Sequence, residues 1–214
     1  MTRRRIRSIG WFIAAATIFL VSIVIAIFIL RDHPVRIFDH MPIRHNDIVL
    51  FGDSHIEYFD AAGMLNDRRI RNRGVAGENA SDMLSRAPGI TRGRPQKVIL
   101  LAGANDAFQG REIEDYLRDM RSLIEKFRNN GGDLSVLSIP PTTNGQLQDR
   151  IDEFNKALVQ LCEDRNVPFI DLDPVLKRNG LLDGTLTTDG VHLDRHGYER
   201  IVPLLRAALP RSDR

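Results

Sequence analysis

Five short apolar runs, separated by stretches with helical periodicity, constrain the fold of this chain more than any other feature. The runs predict strands at residues 47–51, 70–73, 97–103, 133–139 and 167–173. Between and after them, apolar residues recur every three or four positions, most clearly at 113–127, 151–162 and 201–209. Strands that alternate with amphipathic helices indicate βαβ crossovers, and therefore one parallel sheet with helices on both faces.

The composition fits one ordinary globular domain, predicted at residues 47–214. Of the 214 residues, 43% are hydrophobic and 27% are charged, and the formal net charge is +2. This near-balanced charge gives no reason to expect a nucleic-acid partner. The single cysteine, Cys162, excludes an internal disulfide and a cysteine-based zinc cluster. It falls on the apolar side of a helical pattern and is predicted to be buried in the core.

A charge-free, mostly apolar run at residues 9–30 is long enough to span a bilayer as a helix. A cleaved secretory signal would have a shorter apolar core, of about 7–15 residues, followed by small residues. Here the run ends in "IFILRDHP", which lacks those small residues. The sequence therefore predicts an uncleaved signal anchor, and a buried core helix is the alternative.

The tail at residues 1–8 carries four arginines and is expected to stay in the cytoplasm. Residues 31–46 contain two prolines and no clean periodicity, which is typical of a tether. We therefore expect a single-pass protein of the inner (cytoplasmic) membrane. Its domain at 47–214 would face the periplasm or the cell exterior.

Residues able to do chemistry follow the first three predicted strands. They are Gly52, Asp53 and Ser54 after the first strand, Gly77 after the second, and Gly103 at the end of the third with Asn105 and Asp106 after it. In open α/β sheets, ligands bind outside the carboxyl ends of the strands. These residues are therefore expected to share one rim of the sheet.

Ser54 is either a nucleophile or a cap of the helix that follows it. A nucleophilic serine needs a base, and the base needs an orienting group. Asp189 and His192 are three residues apart, so on a helical turn the carboxylate can receive Nδ1–H of the imidazole. Nε2 would then be free to take the Ser54 proton. The alternative for this pair is a cap at the start of the last helix.

A tetrahedral oxyanion also needs hydrogen-bond donors. The candidates are the backbone N–H of Gly77, which no Cβ obstructs, the side-chain amide of Asn105 and the backbone N–H of Ser54. The alternatives are that Gly77 is a turn glycine and that Asn105 or Asp106 is a helix cap. The nearby Gly74 is assigned to the turn.

Together these residues resemble the four sequence blocks of the SGNH (GDSL) hydrolases, in the order of that family. The blocks are Gly52-Asp53-Ser54, Gly77, Gly103-x-Asn105-Asp106 and Asp189-x-x-His192. The resemblance covers residues 47–209. It implies a flavodoxin-like three-layer α/β/α fold with a five-stranded parallel sheet and no metal, and no cofactor is expected.

The resemblance also implies a role for each matching residue. Ser54 would be the nucleophile, His192 its base and Asp189 the partner of the base. Gly77 and Asn105 would be oxyanion donors. One position departs from the usual pattern, because His55 stands where the family commonly has leucine. His55 could contact substrate, but a solvent-facing or helix-starting histidine is the favoured interpretation.

The expected function is that of a membrane-anchored serine esterase with an ester-bearing glycan or lipid as its substrate. Short loops and the lack of a large lid favour a small acyl group, such as acetyl, on a cell-envelope glycan. One alternative is an envelope O-acyltransferase that works with an acyl-donating membrane protein. Others are a lysophospholipase, a thioesterase, and a glycan-binding module without turnover.

Overall fold

A five-stranded parallel sheet runs through the part of the chain that the computed structural model describes, residues 41–210. Its strands are β1 (Ile48–Gly52), β2 (Ile70–Gly74), β3 (Lys97–Leu100), β4 (Asp133–Leu137) and β5 (Phe169–Ile170). They lie in the order β2-β1-β3-β4-β5, and all four neighbouring pairs are parallel. The flavodoxin-like α/β fold predicted from the sequence is confirmed.

Helices connect the strands and cover both faces of the sheet. They are α1 (Ser54–Glu57), α2 (Ala61–Leu65), α3 (Ala80–Thr91), α4 (Ala104–Phe108), α5 (Ile113–Arg128), α6 (Gly145–Asp164), α7 (Asp173–Leu176) and α8 (Arg195–Ala208). A short antiparallel hairpin, β6 (Lys177–Arg178) with β7 (Leu181–Leu182), and a 3₁₀ turn at Gly184–Leu186 precede α8.

The two faces of the sheet bury separate hydrophobic clusters. Val49 and Phe51 of β1 belong to the cluster shared with α3, α5 and α6, whereas Ile48 and Leu50 belong to the cluster shared with α1 and α8. Successive side chains of a strand point to opposite faces, so a strand covered on both sides is a continuous apolar run. This is why β1 is buried along its whole length. Cys162 is buried in the first cluster, as predicted.

Three strands are shorter than predicted. β4 ends at Leu137 instead of residue 139. β3 ends at Leu100 instead of residue 103, and Gly103, with φ of +126°, turns the chain into α4. β5 has two residues instead of the seven at 167–173. It is an edge strand that pairs only with β4. Directly after it, the Asp171 carboxylate accepts the Asp173 N–H at 3.0 Å and begins the turn into α7.

The predicted tail at 1–8, the anchor at 9–30 and the tether up to residue 40 lie outside the described residues. Within residues 41–210, no helix has the length and apolar character needed to cross a membrane.

Candidate active site

Ser54 is the first residue of α1 and stands directly beyond the carboxyl end of β1. The cap of this helix is Asp53, whose Oδ1 accepts the backbone N–H of His55 at 3.0 Å. Capping therefore does not explain the serine. Ser54 is 7% exposed, and its hydroxyl makes a different contact.

That contact is with His192, across 138 positions of sequence. The Oγ atom of Ser54 lies 2.9 Å from Nε2 of His192, and Nδ1 of His192 lies 2.7 Å from Oδ2 of Asp189. A neutral imidazole that donates Nδ1–H to the carboxylate has an unprotonated Nε2, which can accept the serine proton. The three side chains therefore form one continuous hydrogen-bonded chain.

Asp189 and His192 lie in a bend, so the predicted helical turn is wrong although the predicted contact between them exists. The bend is held by its own hydrogen bonds. Oδ1 of Asp189 accepts the N–H groups of Val191 and His192 at 2.9 and 2.8 Å, and the Thr187 hydroxyl donates to it at 3.3 Å. The cap of α8 is Asp194, so the capping alternative for the pair is also wrong.

The hydrogen bonds to Asp189 decide its charge. The bond from His192, followed by the N–H groups of Val191 and His192, holds the pKa of this carboxyl well below its usual range. Asp189 is therefore ionised at ordinary pH, even though its side chain is 51% exposed. A fixed negative charge here orients the imidazole and would stabilise an imidazolium at His192.

Ser54, Asn105, Asp189 and His192 all line one cavity of about 280 Å³. Most of its other lining side chains are apolar: Ala104, Phe108, Pro140, Pro141, Leu147, Ile151 and Val191. Ligand pockets commonly measure about 300–1,000 Å³, so this one is small. Because it is small, mostly apolar and beside Ser54, we call it the acyl cavity.

Asn105 is held in place by the loop that follows β2. Its Nδ2 donates to the carbonyl oxygen of Glu78 at 2.8 Å, and because an amide nitrogen carries two hydrogens, a second N–H is left for another acceptor. Arg86 donates to the Glu78 carboxylate at 2.8 and 2.7 Å and to the Gly52 carbonyl at 3.1 Å. Sequence reasoning missed Glu78 and Arg86, because nothing in the sequence pairs two ordinary charged residues.

The two glycines near the end of β2 differ in kind. Gly77 has φ of +83°, which fits the turn interpretation, and it does not line the acyl cavity. Its role as an oxyanion donor stays a prediction. Gly74 is not a turn residue, contrary to the prediction, but the last residue of β2. A Cβ there would lie 2.1 Å from the backbone nitrogen of Glu57, so glycine is what lets β2 and α1 approach each other.

Asp106, the residue after Asn105, links neighbouring segments of the site. Asn105 and Asp106 lie inside α4. The alternative that one of them caps this helix is therefore wrong. Asp106 instead accepts the N–H of Ala80, at the start of α3, at 3.0 Å and forms an ion pair with Arg111. Burial raises the pKa of Asp106, although both of these partners lower it. The carboxylate thus ties the start of α3 to α4.

His55 is buried, at 3% exposed, so the expectation of a solvent-facing histidine is wrong. It does start a helix, as the second residue of α1, and it lines the acyl cavity. Its ring centroid lies 5.4 Å from that of His192. Burial, followed by the nearby charge of His192, lowers the pKa of His55 to about 3. A neutral imidazole therefore stands beside the one that contacts Ser54.

Asp53 is the second buried ionisable group next to Ser54. Burial raises the pKa of its carboxyl to about 7. Oδ1 is bonded to the His55 N–H, whereas Oδ2 has no hydrogen-bond partner among the residues that the structure describes. Ionising this carboxyl therefore costs free energy, because the charge lies away from water.

The arrangement suits acyl transfer. The serine hydroxyl is hydrogen-bonded to a histidine, and that histidine is hydrogen-bonded to an ionised carboxylate. This is the general-base arrangement that activates a nucleophile. Within residues 41–210, no group of three or more His, Cys, Asp or Glu side chains is placed to hold a metal ion.

Comparison with known proteins assigns the chain to a family. Residues 51–200 match the model of the GDSL-like Lipase/Acylhydrolase family. N-acylneuraminate cytidylyltransferase of Streptococcus agalactiae is 23% identical over 60% of this chain, and the match spans only 32% of the length of that protein. The isoamyl acetate-hydrolyzing esterase 1 homolog of Bos taurus is 24% identical, over 71% of this chain and 76% of that protein.

Solved structures show the same fold. A GDSL-like lipase from Bacteroides thetaiotaomicron superposes with a TM-score of 0.71 at 19% identity, covering 76% of this chain and 87% of that one. A catalytic mutant of an acetylxylan esterase from Geobacillus stearothermophilus has a TM-score of 0.63 at 18% identity, covering 77% and 94%.

Proposed function

This chain belongs to the GDSL-like Lipase/Acylhydrolase family, and we propose that it is a serine esterase that hydrolyses carboxylic esters through an acyl-enzyme. The observation that carries the proposal is the hydrogen-bonded chain from Ser54 through His192 to Asp189, beside a small apolar cavity. A serine that merely caps a helix needs neither the histidine nor the cavity.

In the first half of the reaction, Ser54 Oγ attacks the ester carbonyl carbon while Nε2 of His192 takes its proton. The carbonyl electron pair moves onto oxygen, and the resulting oxyanion accepts hydrogen bonds from the Asn105 amide and the Ser54 N–H, with Gly77 as the predicted third donor. The bond to the alcohol oxygen then breaks, and His192 gives that oxygen its proton.

In the second half, water attacks the acyl-enzyme and gives its proton to His192. A second tetrahedral intermediate forms at the same carbon. It collapses when the bond to Ser54 Oγ breaks, and His192 returns a proton to the serine. The products are the carboxylic acid and the free enzyme. Asp189 stays ionised throughout and stabilises the protonated form of His192.

A small acyl group on a cell-envelope glycan is the substrate that we propose. The acyl cavity, at about 280 Å³, favours a short chain over a long one. One relative is named for isoamyl acetate and one structural neighbour for acetylxylan, and both names concern acetyl esters. The predicted anchor at residues 9–30 favours a substrate in the envelope.

The direct test is hydrolysis of a small aryl acetate by the full-length chain, purified in mild detergent. Ser54→Ala and His192→Ala are expected to lose activity by about a thousandfold or more. Ser85→Ala is the matched control, because Ser85 is an exposed serine of α3. Undiminished hydrolysis by Ser54→Ala would overturn the proposal.

An O-acyltransferase would use the same serine with a sugar hydroxyl in place of water, and it would need an acyl-donating membrane partner. Adding a soluble glycan to the aryl acetate assay separates the two reactions. Release of free acetate in proportion to the aryl acetate consumed supports hydrolysis. Appearance of the acetyl group on the glycan instead assigns transfer.

We further propose that the domain faces the periplasm or cell exterior and is held in the inner membrane by residues 9–30. The support is the charge-free length of that run and the arginines that precede it. A C-terminal reporter that matures only outside the cytoplasm should be active. A silent reporter in a chain that is expressed at a normal level would contradict this orientation.

A further inference from the structure

A second depression adjoins the proposed active site. It has a volume of about 540 Å³ and lies between the segment after α1 and the start of α8. We call it the Tyr58 groove, after the residue at its edge, and its lining side chains are Tyr58, Asp60, Met64, Leu193, Asp194, Arg195 and Tyr198. It shares no lining residue with the acyl cavity.

The groove lies next to His192, the proposed general base. The Tyr58 ring meets the His192 ring edge-on, with centroids 5.1 Å apart and planes at 64°. Leu193, the residue after His192, also lines the groove. An ester bound with its carbonyl carbon at Ser54 has an acyl part on one side of that carbon and an alcohol part on the other. The acyl cavity and the Tyr58 groove match these two parts.

The chemistry of the groove differs from that of the acyl cavity. Tyr58 is 53% exposed and offers both an aromatic surface and a hydroxyl. Asp60 stands at the cap position of α2 but makes no capping bond, so its carboxylate oxygens are available to accept hydrogen bonds from a ligand. Arg195 uses Nε for Glu199, at 3.1 Å, and it has further N–H donors on its guanidinium.

An aromatic surface, an acceptor and a donor around one groove suit a neutral compound with several hydroxyl groups. Such a compound can donate to the Asp60 carboxylate, accept from the Arg195 guanidinium and pack its C–H surface against the Tyr58 ring. A plain alkyl alcohol would displace water from Asp60 and Arg195 without replacing the hydrogen bonds of that water, which is unfavourable.

We propose that the Tyr58 groove binds the alcohol part of the ester and that this part is a sugar. The proposal rests on the esterase function, since it takes Ser54 as the atom that the ester meets. It assigns substrate selectivity to two different depressions. The acyl cavity selects the acid, and the Tyr58 groove selects the alcohol.

The kinetic test compares two acetyl esters that differ only in the alcohol: ethyl acetate and O-acetylated xylo-oligosaccharides. Tyr58→Ala and Asp60→Ala are expected to raise KM for the sugar ester about tenfold, which is a loss of about 1.4 kcal/mol in binding, with KM for ethyl acetate within about twofold. Tyr58→Phe keeps the aromatic ring, so its KM for the sugar ester should be close to that of wild type. The matched control is Asp115→Ala, which removes a half-exposed carboxylate of α5 that is paired with Arg118.

A binding measurement without turnover separates this proposal from the esterase function. Unacetylated xylotetraose, titrated into full-length Ser54→Ala protein, should bind, and Tyr58→Ala in that background should weaken the binding about tenfold. If wild type hydrolyses both esters but neither measurement responds to Tyr58→Ala or Asp60→Ala, the groove does not bind the sugar. If these variants instead raise KM for octyl acetate alone, the groove binds an alkyl alcohol and the proposal is wrong.

If no ester is hydrolysed, the esterase function fails, and the titration still reports on the groove. Binding that depends on Tyr58 would then support a sugar site in a chain without turnover. Absence of binding would overturn the groove assignment as well.

Discussion

The two sides of the proposed active site are built in opposite ways. Ser54 follows β1, a strand that is buried along its whole length, so packing on both faces of the sheet determines the position of this serine. The side chains of Asp189 and His192 are 51% and 32% exposed, in a bend shaped by hydrogen bonds between near neighbours. The position of Ser54 thus depends on the whole fold, whereas the positions of His192 and Asp189 depend on a few adjacent residues.

Two aspartates show the same opposition in their charges. Asp53, on the buried side, has its pKa raised to about 7 by burial. Asp189, on the exposed side, has its pKa lowered, first by the His192 hydrogen bond. The pKa of an aspartate is therefore shifted in opposite directions at two positions of one site. Changes on the exposed side should alter activity at little cost in stability, and changes on the buried side should alter stability.

The largest effect is expected from Asp189→Asn, on the exposed side. The amide cannot stabilise the imidazolium and favours the wrong tautomer of His192, so kcat for an aryl acetate should fall by about a thousandfold or more. The free energy of unfolding, measured by denaturant titration, should change by less than about 1 kcal/mol, because the side chain is half exposed. Asp115→Asn is the matched control. A decrease of less than tenfold would mean that this carboxylate does not orient the base.

Gly74→Ala tests the buried side. A Cβ at residue 74 would lie 2.1 Å from Glu57 N and 2.6 Å from Glu57 Cα, and backbone atoms cannot move aside cheaply. We expect the free energy of unfolding to fall by about 3 kcal/mol. Gly89→Ala is the control, since nothing lies within 4 Å of its Cβ position in α3. That substitution should leave stability unchanged or raise it by about 0.5 kcal/mol. Equal effects at the two glycines would contradict the close approach of β2 and α1.

Asp53 should make stability depend on pH. The pKa is raised from 3.8 to about 7, so the folded state holds this proton more tightly than the unfolded state does. The contribution of Asp53 is therefore fully present below about pH 4 and is lost as pH rises towards 7, by at most about 4 kcal/mol. Denaturant titrations of wild type and Asp53→Asn across this range should show a smaller decline in the variant. Parallel curves would argue that the carboxyl is not buried.

The smallest effect is expected from Thr187→Val. The hydroxyl donates to Asp189 Oδ1 at 3.3 Å and accepts the Gly190 N–H at 3.0 Å, so its loss loosens the bend without removing a reacting group. We expect kcat to fall about fivefold, equivalent to about 1 kcal/mol for one hydrogen bond. Thr91→Val, in α3, serves as the control. A thousandfold loss would instead place Thr187 among the groups on which the reaction directly depends.

Much of the fold was predictable because β1, β3 and β4 are apolar runs that only a doubly covered sheet can bury. The error in β5 has a physical cause: its two residues pair with one neighbour only, and the length of an edge strand depends on that neighbour. The apolar character of residues 167–173 alone predicts a longer strand.

Within the site, residue identity was more predictable than local structure. The spacing of Asp189 and His192 predicted their contact, but a bend and not a helical turn brings them together. The sequence predicts a turn at Gly74, because the approach of β2 to α1 is a tertiary contact and leaves no local signal. His55 was expected in solvent because its burial depends on packing against distant parts of the chain, such as Tyr198, whose hydroxyl donates to the His55 carbonyl at 2.8 Å.

The most direct test of the central claim is to identify the residue that reacts with a fluorophosphonate, which modifies activated serines covalently. The full-length protein is labelled, digested and analysed by mass spectrometry. We predict one modified residue, Ser54, with labelling abolished by His192→Ala and unaffected by Ser85→Ala. Labelling of a different residue, or ester hydrolysis that continues while Ser54 stays unmodified, would contradict the assignment of Ser54 as the nucleophile.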